Sequence, residues 1–425
     1  MDGFEERLSR VAALRPRNRM PEENRAAGGG SNSEQLMTLL GGENGRNRFG
    51  GHFRVRRNFD QLKAVAMSPR VLKLVAPGST DAACDISQWL FLDTETTGLS
   101  GGTGTYAFLI GLGWWQEDGF TVEQFFMRNH GEEPSLLLEV LGRLEQRRVL
   151  VTFNGKSFDW PLLQTRFQMT RMGAAPDPLA HLDLLHPARQ IWRLRLQSVA
   201  LTQLERHVLQ LDRGEDIPSD TIPQRYFDFL RGGPPEAMAE VFHHNQMDLC
   251  GLAALALRIA GTLENPENSG CGAGELFGIS RMLQRRGQES LAGHMYRKAL
   301  EEGLPATAEQ IARRELAFLA KRRQNYELSN SLWEKLLGDS AEGLRAYEQL
   351  AIYYEHHAAL PQKAAALARE ALVKLQESFR AGRLPAPRYR HWHASFQHRL
   401  SRLTSKMDSR FGIPDSKKPE TSSLR

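Results

Sequence analysis

Apolar residues fall into two rhythms along this chain, and the change between them divides it. In the first half they come as short continuous runs. Trp89-Leu90-Phe91-Leu92 and Val149-Leu150-Val151-Thr152-Phe153 lack alternation, as strands buried on both faces do. Tyr106 to Trp115 is apolar and punctuated by glycine, and Gln116-Glu117-Asp118-Gly119 separates it from Phe120 to Met127. An Asp-Gly pair between two such runs predicts a hairpin. Leu136, Leu137, Val140, Leu141 and Leu144 have helical spacing and predict a helix over 134–146. Further helices are expected from Asp159 to about Met172, with Pro161 in the first turn, and from about Glu236 to Leu263. Three antiparallel strands followed by strand–helix alternation make an α/β domain with a mixed sheet.

The second half is helical throughout. Ala292, Tyr296 and Ala299 recur as Ser329, Trp333 and Leu336, and again as Ala364, Ala368 and Ala371. Each triplet has a second helix upstream, marked by Ser280/Leu283, Ala317/Ala320 and Ala351/Tyr354. Small residues where helices cross, repeating about every 35 residues, resemble tetratricopeptide repeats over residues 274–380. Residues 264–273 (Asn265-Pro266-Glu267-Asn268-Ser269-Gly270 at their centre) have a linker's composition. Residues 1–50, rich in Arg, Asn, Glu and Gly, are expected to form a disordered basic arm. Residues 51–84 read as an extension packed on the next domain, and residues 381–425 as a basic, partly disordered tail.

At 425 residues there is room for two or three domains. No run approaches the roughly 18 consecutive apolar residues of a membrane span. Met1-Asp2-Gly3-Phe4-Glu5-Glu6 lacks the basic start of a secretory signal, and three scattered cysteines form no metal pattern, so a reducing cytoplasm is expected. The net charge of +5 conceals a strong asymmetry. Residues 1–76 hold 14 Lys and Arg against 8 Asp and Glu, residues 77–273 hold 15 against 25, and the remainder is basic again. A polyanion would meet two basic flanks around an acidic middle.

Chemistry concentrates in that acidic middle. Asp93-Thr94-Glu95 follows the first buried run, and strand residues two apart share a face. Two carboxylates side by side repel unless a cation lies between them, and oxygen ligands favour Mg²⁺ or Mn²⁺ over zinc. Asp159 closes Asn154-Gly155-Lys156-Ser157-Phe158-Asp159, where it would also cap a helix. Asp248 lies one helical turn beyond His244 and shares its face, whereas His243 lies about 140° round the helix.

Asp-x-Glu on a first strand, Asn-x4-Asp after a later one and His-His-x3-Asp on a final helix resemble the DEDD superfamily of 3′–5′ exonucleases. Gly101-Gly102-Thr103-Gly104-Thr105-Tyr106, Asn154 to Asp159 and His244-Asn245-x-x-Asp248 are most similar to the bacterial YprB-like ribonuclease H-like proteins. The resemblance implies an α/β ribonuclease H-like domain over residues 85–263, with a mixed five-stranded sheet and flanking helices, followed by an all-α tetratricopeptide-like domain. It implies that Asp93, Glu95, Asp159 and Asp248 hold two Mg²⁺ or Mn²⁺ ions and that a histidine takes a proton from the attacking water. His244 is favoured by its face and by the neighbouring Asn245, with His243 as the alternative. Thr96, Gly98 and Leu99 would line the 3′-terminal nucleotide of a single-stranded DNA or RNA substrate, with Asn154 and Lys156 beside them. The alternative function is a catalytically weak adaptor whose helical repeats bind a protein partner. No membrane is expected as a partner.

Overall fold

A computed structural model describes residues 32–98, 103–173, 175–214, 216–338 and 340–411. The chain divides into two compact units, residues 1–286 and 287–425.

The first unit is built on one mixed sheet. Its strands are β1 (Glu43–Asn47), β2 (Gly50–Phe59), β3 (Trp89–Thr96), β4 (Ala107–Gln116), β5 (Gly119–Phe126), β6 (Val149–Thr152) and β7 (Ala180–Asp183). They lie in the order β1-β2-β5-β4-β3-β6-β7. The pairs from β1 to β3 are antiparallel, and β3-β6 and β6-β7 are parallel. The helices are α1 (Asn32–Leu40), α2 (Pro69–Val75), α3 (Glu133–Gln146), α4 (Asp159–Met169), α5 (Leu185–Trp192), α6 (Leu201–Leu204, continued by a π turn over Glu205–Leu209), α7 (Ile222–Leu230), α8 (Pro235–Glu264) and α9 (Ala273–Arg285).

Central strands arise because their side chains are buried on both faces, as in β4 and β5. Trp89, Phe91, Trp115 and Phe120 form one aromatic cluster, with Phe91 edge-on to Trp115 at 4.9 Å and to Phe120 at 5.3 Å. Phe126 gathers Phe53, Phe108, Tyr226, Phe229 and Phe242 into a second. Trp114 and Trp115 are thus core residues. Helix α8 is long and apolar enough to cross a membrane by length and composition, but 78% of that apolar window is buried inside the protein.

The sheet has seven strands rather than five, because residues 43–59 add a hairpin that continues β5 outward. The expected disordered arm is corrected accordingly over its described part. Leu36 and Leu40 bury one face of α1, and β1 is an ordered edge strand. An edge strand such as Glu-Asn-Gly-Arg-Asn is held by backbone pairing, so its polar side chains carry no core signal. Residues 1–31 of the arm lie outside the described residues. The extension over 51–84 supplies β2 and α2, and Arg70 donates to the Leu263 carbonyl at 2.9 Å.

Helix α9, expected to open the repeats, belongs to the first unit. A Cβ on Gly278 would come within 2.0 Å of the Gln190 carbonyl oxygen, so α9 meets α5 backbone to backbone. The second unit is all-helical: α10 (Glu289–Glu302), α11 (Ala306–Arg322), α12 (Tyr326–Glu334), α13 (Ala341–His356), α14 (Pro361–Arg380) and α15 (Ala386–Phe411). The expected tail is helical to Phe411, because Phe396 and Leu403 find buried places against α13 and α14. Residues 412–425 lie outside the described residues.

Candidate active site

The parallel ladder between β3 and β6 stops at Phe91 and Val151, whereas β3 stays paired with β4 to Thr96. Asp93 and Glu95 therefore leave a strand that has lost its neighbour on one side. Such an opening, beyond the carboxyl ends of parallel strands, is where open α/β sheets place ligands. Asp93, Gly111 and Gln124 are register partners across β3, β4 and β5. Helix α8 crosses above this row, and Gly111 is what lets it approach. A Cβ at position 111 would stand 2.2 Å from Asn245 Oδ1 and 2.8 Å from Leu249 Cδ1.

Contact between helix and row is polar and fully assigned. Gln124 Nε2 donates to Asn245 Oδ1 at 2.9 Å and to the Phe242 carbonyl at 2.8 Å. Since Asn245 spends its oxygen there, its Nδ2 donates to Asp93 Oδ2, at 2.7 Å. One turn along α8, His244 Nε2 lies 3.5 Å from Asp248 Oδ2. Glu95, His244 and Asp248 each bring one potential ligand atom within 4.8 Å of the other two.

A second layer holds this group. His244 Nδ1 lies 2.7 Å from Asp216 Oδ1, and a carboxylate can only accept, so Nδ1 carries a proton and Nε2 is the ring nitrogen turned to Asp248. Arg213 is a nearly buried fork. It bonds Asp248 Oδ1 at 2.5 Å, Asp216 at 3.1 Å, and both oxygens of the buried Glu205. Glu205 sits on the π turn, and Gly251 of α8 makes room for it, since a Cβ there would lie 1.7 Å from Glu205 Oε1.

Asp159 opens α4 and accepts from the Thr94 hydroxyl at 2.5 Å. It lies outside the 4.8 Å group, yet its charge reaches both Asp93 and Glu95. Asn154 takes a left-handed conformation, φ 68°, which asparagine tolerates. Buried Asp183 accepts from the backbone N–H groups of Asn154, at 2.8 Å, and Lys156, at 3.1 Å, and so fixes the loop that delivers Asp159. A cavity of about 480 Å³ adjoins Asp159, lined by Thr94, Thr96, Gly98, Phe158 and Leu162 among others. Phe158 is 58% exposed there.

The electrostatics are those of crowded anions. Burial pushes the Glu95 carboxyl up to about 8, and the charges of Asp248, Asp159 and Asp216 add to it. Burial also raises Asp93, with Asp248, Glu95 and Asp159 reinforcing the shift against the Asn245 bond. Asp159 is raised by burial to about 6, with the Thr94 hydroxyl opposing. Burial would raise Asp216 too, but His244 and Arg213 outweigh it and hold it below the ordinary value. Carboxylate oxygens with one imidazole, short of positive charge, fit a hard divalent cation.

Of the residues expected from sequence, Asp93, Glu95, His244 and Asp248 converge, with Asp159 at their margin. Thr96 and Gly98 line the cavity, while Asn154 and Lys156 do not. Leu99, Gly101 and Gly102 lie outside the described residues. His243 is exposed and joins neither the carboxylates nor His244 by any hydrogen bond. Gln124, Glu205, Arg213 and Asp216 were not anticipated, and Asn245 was read only as a motif letter. Asn245 could have been found, since it neighbours His244 on a face turned to the sheet. Nothing periodic marks Arg213 or Asp216 within Leu211–Pro218.

Residues 90–260 match the model of the RNase_H superfamily. The chain is also 32% identical over 269 residues to the uncharacterized protein YprB of Bacillus subtilis strain 168. That alignment covers 63% of this chain and 64% of the relative's length.

Proposed function

We propose that the chain is a metal-dependent nuclease that hydrolyses phosphodiester bonds of single-stranded DNA or RNA, working from the 3′ end. The observation that carries this reading is the convergence of Glu95, His244 and Asp248, with Asp93 alongside, at the open edge of a ribonuclease H superfamily sheet. Asp93, Glu95, Asp159 and Asp248 would hold two Mg²⁺ or Mn²⁺ ions, which when bound stabilise charge on phosphoryl oxygens and acidify water. Asn245 fixes the Asp93 carboxylate, and Thr94 that of Asp159, so that neither must reorganise. His244 acts as general base through Nε2. Asp216 keeps the tautomer correct and favours the imidazolium once the proton is taken. Thr96, Gly98 and the exposed ring of Phe158 offer the terminal nucleotide a partly apolar bed. The 3′ polarity rests on the resemblance of Asp93-x-Glu95, Asn154-x4-Asp159 and His243-His244-x3-Asp248 to the 3′–5′ exonuclease motifs.

The test is hydrolysis of 3′-labelled and 5′-labelled oligonucleotides with Mn²⁺ or Mg²⁺. Activity is expected with either ion, lost in EDTA and in Asp93→Ala. Unchanged turnover in Asp93→Ala would overturn the reading. No hydrolysis with either ion, together with a stable protein partner held by residues 287–380, would favour the adaptor function instead.

A further inference from the structure

Between α5 and α9 lies a groove of about 410 Å³ that the proposed reaction does not use. Arg189 and Arg193 border it from the α5 side, and Arg281 and Arg285 from α9. Each pair is spaced i, i+4, so on each side both side chains point the same way. The close approach of the two backbones at Gly278 and Gln190 brings the rows face to face. Phe277 lies in the floor beneath Arg281, whose guanidinium stands 5.7 Å from the ring centre.

The charge here is unexpected. Residues 77–273 carry ten more acidic than basic side chains, and several arginines of this unit are neutralised by them, as Arg166 is by Glu133 and Arg195 by Glu275. Arg189, Arg193, Arg281 and Arg285 form no ion pair among the described residues, and Arg285 spends one N–H on the neutral Gln190 amide, at 3.1 Å. All four are exposed. Four unpaired guanidiniums in two facing rows suit a ligand with regularly repeated phosphates, because each planar fork can hold one phosphate by two bonds. Helix α5 starts two residues after Asp183, the residue that fixes the Asn154–Lys156 loop. At about 1.5 Å per residue, Arg189 and Arg193 stand roughly 6–12 Å along the helix from its start.

We infer that this groove binds the phosphate backbone of a single nucleic-acid strand, as a second contact that holds the strand beside an acidic catalytic centre. The substrate class rests on the nuclease reading; the groove's affinity for a polyphosphate does not. The experiment measures binding of a labelled single strand of about 20 nucleotides to the full chain in EDTA, by fluorescence anisotropy, between roughly 50 and 200 mM salt. For the double substitution Arg193→Gln/Arg281→Gln we expect binding at least about tenfold weaker and a salt slope shallower by about 1.4, at ~0.7 per single-strand phosphate contact. Arg193→Lys/Arg281→Lys should keep the wild-type slope. Melting temperatures of the variants, whose replaced side chains are exposed, should match wild type. Unchanged affinity and slope in the Gln variant would overturn the inference. Displacement of the strand by inorganic phosphate at a few millimolar would do the same, showing a site for one small anion. A chain that binds through the groove but never hydrolyses overturns the nuclease reading and leaves this one standing.

Discussion

Asn245 on the long helix donates to Asp93 on the central strand at 2.7 Å, across 152 residues of sequence. Gln124 sets its direction by occupying the amide oxygen. Asn245→Ala would leave the Asp93 carboxyl without this donor and take from Gln124 one of its two acceptors, the Phe242 carbonyl remaining. Loss of an outer partner of this kind lowers metal affinity by about 10–100-fold. Titration of Mn²⁺ into the variant by calorimetry checks this, and wild-type affinity would contradict it.

Gly111 should tolerate no side chain. Its Cβ would meet the Asn245 oxygen at 2.2 Å, so Gly111→Ala pushes α8 off the sheet or twists Asn245 away from Asp93. Overpacking of this kind costs about 1–3 kcal/mol. Urea unfolding should register that loss, and Mn²⁺ affinity should fall with it. Gly113→Ala on the same strand is the contrast. It would crowd the Phe120 ring, at 2.5 Å, and so cost stability while leaving Asn245 and Asp93 in place.

Sequence made the centre of the fold legible and its margins much less so. Strands β3 to β6 and the α3, α4 and α8 helices announce themselves because burial on two faces, or on one helical stripe, forces an apolar pattern. The β1–β2 hairpin escaped because backbone pairing at a sheet edge needs no such pattern. The α15 helix escaped because its deep anchors among the described side chains, Phe396 and Leu403, are scattered among Arg, His and Ser. Within the site, Asp93, Glu95, Asp159 and Asp248 were readable as carboxylates at strand and helix positions. Arg213 and Asp216 were not, since a loop between Leu209 and Ile222 has no period and only the folded chain brings it over α8.

Crowded carboxylates make metal-free stability depend on pH. In the folded chain Glu95 titrates near 8 against an ordinary 4.5, and Asp159 near 6 against 3.8. Between those values the folded state holds more protons than the unfolded one. Their stabilising contribution is therefore complete at low pH and lost as pH rises through the folded values, by at most about 1.4 kcal/mol per pH unit for each group. In EDTA the melting temperature should fall steadily from about pH 5 to pH 8, and saturating Mn²⁺ should flatten the fall. A melting temperature that rises over that window in EDTA would contradict the burial of these anions.

Among the described residues Arg213 is the one arginine or lysine bonded directly to the carboxylate group, through Asp248. Burial alone would depress it, but Glu205 and Asp248 outweigh that and keep it charged. Removing one member of a buried ion pair costs about 3–5 kcal/mol, because the partner stays behind uncompensated. Arg213→Gln should therefore lose stability on that scale in urea. Arg213→Met combined with Glu205→Leu should recover most of it, since no buried charge is then left at Glu205. A loss below about 1 kcal/mol in the single variant would show that water reaches Glu205 and Asp248.

The two adjacent histidines separate cleanly. His244 lies between Asp216 and Asp248, with Nε2 turned to the carboxylates, whereas His243 is exposed on another face of the helix. In the proposed reaction His244→Ala should lower Mn²⁺-supported hydrolysis by about 10²–10⁴, the range of a positioned general base. His243→Ala should leave turnover within a few-fold of wild type. Asp216→Asn provides the finer test. An asparagine can donate to Nδ1 as well as accept from it, so it no longer dictates the tautomer, and it adds no charge to favour the imidazolium. The rate should drop, because the ring is then no longer held in one tautomer beside a compensating charge. An undiminished rate in Asp216→Asn, or a larger loss in His243→Ala than in His244→Ala, would take the general-base role away from His244.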